Sequence, residues 1–83
     1  MARKKLIAAN WKMNKTVPES VSFIDNFKNS IKSSKNETVI CPAFASLNDV
    51  KKAIKGTKIK LGAQNMHFEE KGAFTGEISA SML

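Results

Sequence analysis

Leu6-Ile-Ala-Ala9 is an unbroken apolar run, and polar residues follow it at Asn10, Lys12 and Asn14. Apolar residues without alternation predict a short strand buried on both faces, as in a parallel sheet. The period then changes. Val17, Val21, Ile24, Phe27 and Ile31 recur at helical spacing, with Lys28, Asn29, Lys32 and Ser33 largely off that stripe. Thr16 and Glu19 have the spacing of a capping box. Pro18 suits a first turn but pushes Val17 away from helical angles, so the helix starts within a residue or so of Thr16. It fades in Ser33-Ser34-Lys35-Asn36.

Thr38-Val39-Ile40-Cys41 predicts a second strand buried on both faces, stopped by Pro42. Ser46 and Asp49 repeat the capping spacing, and Leu47, Val50 and Ile54 form the stripe of a second helix with Lys51, Lys52 and Lys55 outside it. Gly56 is a natural C-terminal stop. Lys58–Ala63 predicts a third strand with Ile59, Leu61 and Ala63 on one face. Lys58 and Lys60 on the other face leave two readings open: their ammonium groups snorkel outward, or the strand begins at Ile59.

Strand, helix, strand, helix, strand implies an α/β fold with parallel strands and right-handed crossovers. No linker or low-complexity segment divides residues 1–83. Gln64–Ile78 predicts a long loop, and a loop of that length in a compact domain is usually functional. Gly72 and Gly76 bracket its tip, Ala73-Phe74-Thr75. Ser79 could cap a third helix from Ala80.

Composition changes this picture little. Eighty-three residues bound the chain to one small domain, and 42% hydrophobic with 25% charged is ordinary for a globular protein. Fourteen Lys and Arg against seven Asp and Glu give +7, which permits a phosphate or nucleic-acid partner. The lysines scatter over surface positions, so no nucleic-acid partner is assigned. The one cysteine, Cys41, cannot form an internal disulfide, and a cytoplasmic setting is the default. The apolar run behind the basic Met1–Lys5 is too short for a signal peptide or membrane span, so no membrane partner is expected. There is no ligand-spaced His/Cys cluster and no Gly-rich phosphate fingerprint, so no metal or cofactor is expected.

The candidate chemistry lies at the end of the first strand. Asn10 brings two donors and an acceptor, and Lys12 a positive charge with three donors. In a strand-like continuation the two share a face and Trp11 takes the other. Together they suit a small anionic substrate that carries oxygens. Taken alone, Asn and Lys are equally at home in a solvated loop. Trp11 reads best as a packing residue whose backbone passes the site. His67 reads as an exposed loop histidine, Cys41 as core, and Glu69 and Glu70 as solvated carboxylates.

Three stretches carry a resemblance. Ala9-Asn-Trp-Lys-Met-Asn14, Gly62-Ala-Gln-Asn65 and Gly72-Ala-Phe-Thr-Gly-Glu77 resemble motifs of the triosephosphate isomerase family, in family order and at family-like spacing. The resemblance covers essentially all of residues 5–83. It implies the N-terminal strand-helix-strand-helix-strand portion of a TIM (β/α)8 barrel, an incomplete single domain, because the family barrel takes about 250 residues. It implies an isomerase that interconverts dihydroxyacetone phosphate and glyceraldehyde 3-phosphate through an enediolate, with Lys12 and Asn10 as catalytic residues and Asn10, Trp11 and Lys12 as substrate-binding residues. It further implies a homodimer in which the long loop crosses to a partner subunit, with Met13, Gln64, Phe74, Thr75 and Glu77 at that contact. The family's glutamate base, histidine electrophile and closing loop have no counterpart here, so the 83-residue chain alone is expected to be inactive. The alternative is a non-catalytic anion-binding or complementation fragment.

Overall fold

The computed structural model describes residues 3–83. Three strands, β1 (Leu6–Asn10), β2 (Glu37–Cys41) and β3 (Ile59–Leu61), alternate with two helices, α1 (Val17–Ser30) and α2 (Leu47–Ala53). The strands are parallel in the order β1-β2-β3. The register sets Ala9 beside Ile40 and Ile40 beside Leu61. Because side chains alternate along a strand, Ala9, Ile40, Ile59 and Leu61 share one face and Asn10, Val39, Cys41 and Lys60 the other.

The helices cover the first of these faces. Ile24 of α1, Ile40, Val50 of α2, Ile54 and Ile59 form the buried core, with Trp11, Phe27 and Ile31 packed against it. Burying an Ile or Val side chain contributes about 1.5–3 kcal/mol, so these few residues hold the sheet to its helices. The expectation of two-sided burial is corrected for β1. Leu6 is 58% and Ile7 51% exposed, because β1 is an edge strand and only one face of the sheet carries helices. In β2 only Ile40 is fully buried.

The local signals of α1 are realised. Thr16 is the N-cap, its side chain accepts from the Glu19 N–H, and the Glu19 carboxylate accepts from the Thr16 N–H at 2.8 Å. The helix stops at Ser30, earlier than the fade over residues 33–36, with Ile31 as C-cap. The Ser46 cap is not made. A 3-10 turn over Phe44–Ser46 runs directly into α2, so Ser46 has helical backbone angles and its hydroxyl meets Ser20 of α1 at 3.3 Å instead. Gly56, at φ +79°, ends the turn after α2. Strand β3 begins at Ile59. Lys60 lies on the helix-free face, where its Nζ is 3.2 Å from Glu37 Oε1.

After β3 the chain forms neither helix nor strand through residue 78, and residues 80–82 make a turn, not the start of a helix. No helix among the described residues is long and apolar enough to cross a membrane.

Candidate functional site

The C-terminal ends of the three strands bring Asn10, Lys12 and Gln64 together. Trp11 N–H donates to the Cys41 carbonyl at 3.1 Å and Gly62 N–H to the Ile40 carbonyl at 2.9 Å, so the ladders continue one residue beyond β1 and β3. Gly62 is needed there: a Cβ on it would lie 2.9 Å from Cys41 Sγ and 3.3 Å from Val39 Cγ1. Cys41 is thus a half-buried packing group.

Lys12 departs from the strand-like continuation. Its φ is +55°, and its N–H turns back to donate to Asn10 Oδ1 at 2.9 Å. Left-handed backbone costs a non-glycine residue roughly 1–2 kcal/mol, so neighbouring contacts must hold it. Gln64 provides two. Its Nε2 donates to the Lys12 carbonyl and to the Cys41 carbonyl, each at 2.9 Å. Both amide protons are thereby used. Asn14 Nδ2 adds a bond to the Trp11 carbonyl at 2.8 Å. The arrangement fixes the backbone under Asn10 and Lys12 while both side chains stay exposed.

Trp11 packs edge-on against Phe23, with centroids 5.3 Å apart, and Phe23 stacks on Phe27. The Lys15 ammonium lies over Phe23 at 4.9 Å. This cluster ties the loop after β1 to α1. Sequence reasoning missed the Gln64 bridge; the only signal was an amide side chain immediately after a strand.

The loop of residues 64–78 is folded back on itself. His67 N–H donates to the Ile78 carbonyl at 2.8 Å. The His67 ring sits against Phe68 at 4.6 Å and Phe74 at 4.3 Å, with Nδ1 3.7 Å from Glu77 Oε2. The reading of His67 as an exposed residue is therefore corrected: its side chain is 16% exposed, and Nε2 is buried without a partner among the described residues. The flanking Phe68 and Phe74 are what enclose it. Thr75 and Glu77 are exposed, Phe74 is 44% exposed, and Met13, beside Lys12, is 95% exposed.

The family profile described as triosephosphate isomerase matches residues 5–83. Among the similar proteins, triosephosphate isomerases of Clostridium perfringens and Alkaliphilus metalliredigens are 57% and 56% identical over 81 residues, 98% of this chain. The chain spans 33% of the length of those relatives. A crystal structure of triosephosphate isomerase from Bartonella henselae superposes with a TM-score of 0.86 at 38% identity, covering 96% of this chain and 33% of that one. The three strands and two helices therefore match an N-terminal part of a TIM barrel.

Proposed function

The chain belongs to the triosephosphate isomerase family, and from that premise we propose that it supplies the charge-stabilising corner of an isomerase acting on a three-carbon phosphorylated sugar. The reaction is the interconversion of dihydroxyacetone phosphate and glyceraldehyde 3-phosphate, a step of glycolysis and gluconeogenesis carried out in the cytoplasm. The observation that carries this reading is the pinned backbone at Lys12. Gln64 and Asn10 hold it in a left-handed turn at the C-terminal end of the sheet, the end at which TIM-barrel active sites are built.

In the reaction a proton leaves one substrate carbon and negative charge grows on the neighbouring oxygens. The Lys12 ammonium offsets that charge, and the Asn10 amide holds an oxygen in place. The strength of this depends on surroundings. At ~4 Å a unit charge pair is worth about 1 kcal/mol in water and about 4 kcal/mol at an effective dielectric near 20. Lys12 is exposed in this chain, so the larger value requires walls that the other two-thirds of a barrel would supply. The base that takes the carbon-bound proton is also absent from these residues. The 83-residue chain alone is accordingly inactive. In the whole protein, a homodimer, the loop of residues 64–78 reaches the partner's copy of this corner, with Thr75 at its tip.

The test is a chimera that joins residues 1–83 to the remaining two-thirds of the Clostridium perfringens relative, assayed beside the chain alone. Isomerase activity in the chimera and none in the isolated chain is the expected result. An inactive chimera that folds as a dimer overturns the proposal.

A further inference from the structure

The lysines that scatter along the sequence are gathered by the fold. At the N-terminal ends of the strands, opposite Asn10 and Lys12, a groove of about 880 Å³ is lined by Arg3, Lys4, Lys5, Lys35, Lys58 and Lys60. A second groove of about 340 Å³ shares Lys58 with it and adds Lys28, Lys32 and Lys55. Nine of the fourteen cationic side chains thus line two adjoining grooves, with Glu37 the one acidic lining residue among the described residues. Glu37 is held by Lys60, and Lys28 pairs with Asp25 at 3.5 Å. Among the described residues, Arg3, Lys4, Lys5, Lys32, Lys35 and Lys55 form no ion pair.

Helix polarity accounts for part of this. Cations near a helix C-terminus gain about 0.3–1 kcal/mol, which suits Lys28 and Lys32 at the end of α1 and Lys55 after α2. It does not account for Arg3, Lys4, Lys5, Lys58 or Lys60, which belong to strands or their approaches.

We infer that this end of the sheet is a binding surface for the phosphate backbone of nucleic acid, read without regard to sequence. A lone phosphate would engage only one or two of these cations. Three strands at about 4.8 Å spacing span roughly 10 Å, and a duplex presents a charge every ~1.7 Å along its axis, so the band meets several phosphates at once. Among the described residues no aromatic side chain lines either groove, which leaves no platform for base stacking there. An anionic membrane is a poorer match, because the larger groove is concave and, among the described residues, none that line it is hydrophobic.

The experiment titrates the 83-residue chain into a fluorescein-labelled duplex of about 20 base pairs, followed by anisotropy between roughly 50 and 200 mM salt. Binding should weaken log-linearly with salt, by close to one unit of slope per phosphate contacted. The triple substitution Lys5→Glu, Lys35→Glu, Lys58→Glu should weaken binding more than about tenfold, and Lys51→Glu, Lys52→Glu, Lys71→Glu, with the same change in net charge, less than about threefold. If the first triple loses its helical circular dichroism, neutralising Gln triples at both sets of positions replace the two Glu triples, with the same ranking expected. Equal weakening by both triples means that binding follows net charge alone and overturns the assignment. So does the absence of duplex binding at the lower salt, or binding to phosphatidylserine vesicles with none to the duplex.

Discussion

Gln64 holds the carbonyl of Lys12 at 2.9 Å with one amide proton and spends the other on Cys41. A residue in the loop after β3 thereby holds the backbone of a residue beyond β1, across the whole sheet. Gln64→Glu removes both donors and sets a carboxylate against two carbonyl oxygens. One of these bonds is exposed and the other part-buried, so losing each costs about 0.5–1.5 kcal/mol. In the chimera, kcat should fall about tenfold or more, each tenfold being about 1.4 kcal/mol, while a thermal melt still shows a folded protein. Unchanged kcat in Gln64→Glu would show that Lys12 holds its turn unaided.

Lys12→Met keeps much of the stem and removes the charge. If Lys12 offsets charge that grows only in the transition state, turnover in the chimera should fall by orders of magnitude with little change in melting temperature. Kinetics and calorimetry on the same preparation check this, and near-normal turnover refutes the role.

The space above Gly62 is already filled by Cys41 Sγ and Val39 Cγ1. Gly62→Ala should destabilise the chain by about 1–3 kcal/mol through overpacking. Adding Cys41→Ala should recover a good part of that loss, because neighbouring sites couple. Urea melts of the two single variants and the double variant measure the coupling; strict additivity would show that the two side chains do not compete for the space.

Glu19 accepts from the backbone N–H of Thr16 and from its side chain, and together with nearby Lys15 these hold its carboxyl below the ordinary value of 4.5. A carboxylate whose folded value is depressed stabilises the fold above its unfolded value, and that contribution is lost as pH falls through the folded one. Wild type should therefore lose stability below about pH 4.5 more steeply than Glu19→Gln. Parallel pH dependence of the two melting temperatures would contradict the capping role.

Thr75 is exposed at the loop tip, so Thr75→Arg should leave the melting of the isolated chain almost unchanged. In the chimera it should weaken the dimer and lower activity per subunit on dilution, by overfilling the partner's pocket. Sedimentation run beside activity over one dilution series checks both, and a variant fully dimeric and active throughout would reduce the loop to a connector.

Signals that act within one turn of chain were legible. Thr16 and Glu19 form their capping box because both partners lie in the same four residues. The same spacing at Ser46 and Asp49 misled, because a 3-10 turn upstream had already set the Ser46 backbone. Asn10 and Lys12 were legible as a pair, but the left-handed turn between them depends on Gln64, 52 residues away. The enclosure of His67 depends on Phe68 and Phe74 closing over it, which no local pattern announces. The two-sided burial expected of β1 is not found: Leu6 and Ile7 are exposed, because β1 is an edge strand and, among the described residues, helices cover one face of the sheet only.

That open β1 edge also bears on association. Leu6, Ile7 and the unpaired backbone edge of β1 offer a template on which an extended segment of a second molecule can add a strand, because unpaired edge N–H and C=O groups and exposed apolar side chains favour such pairing.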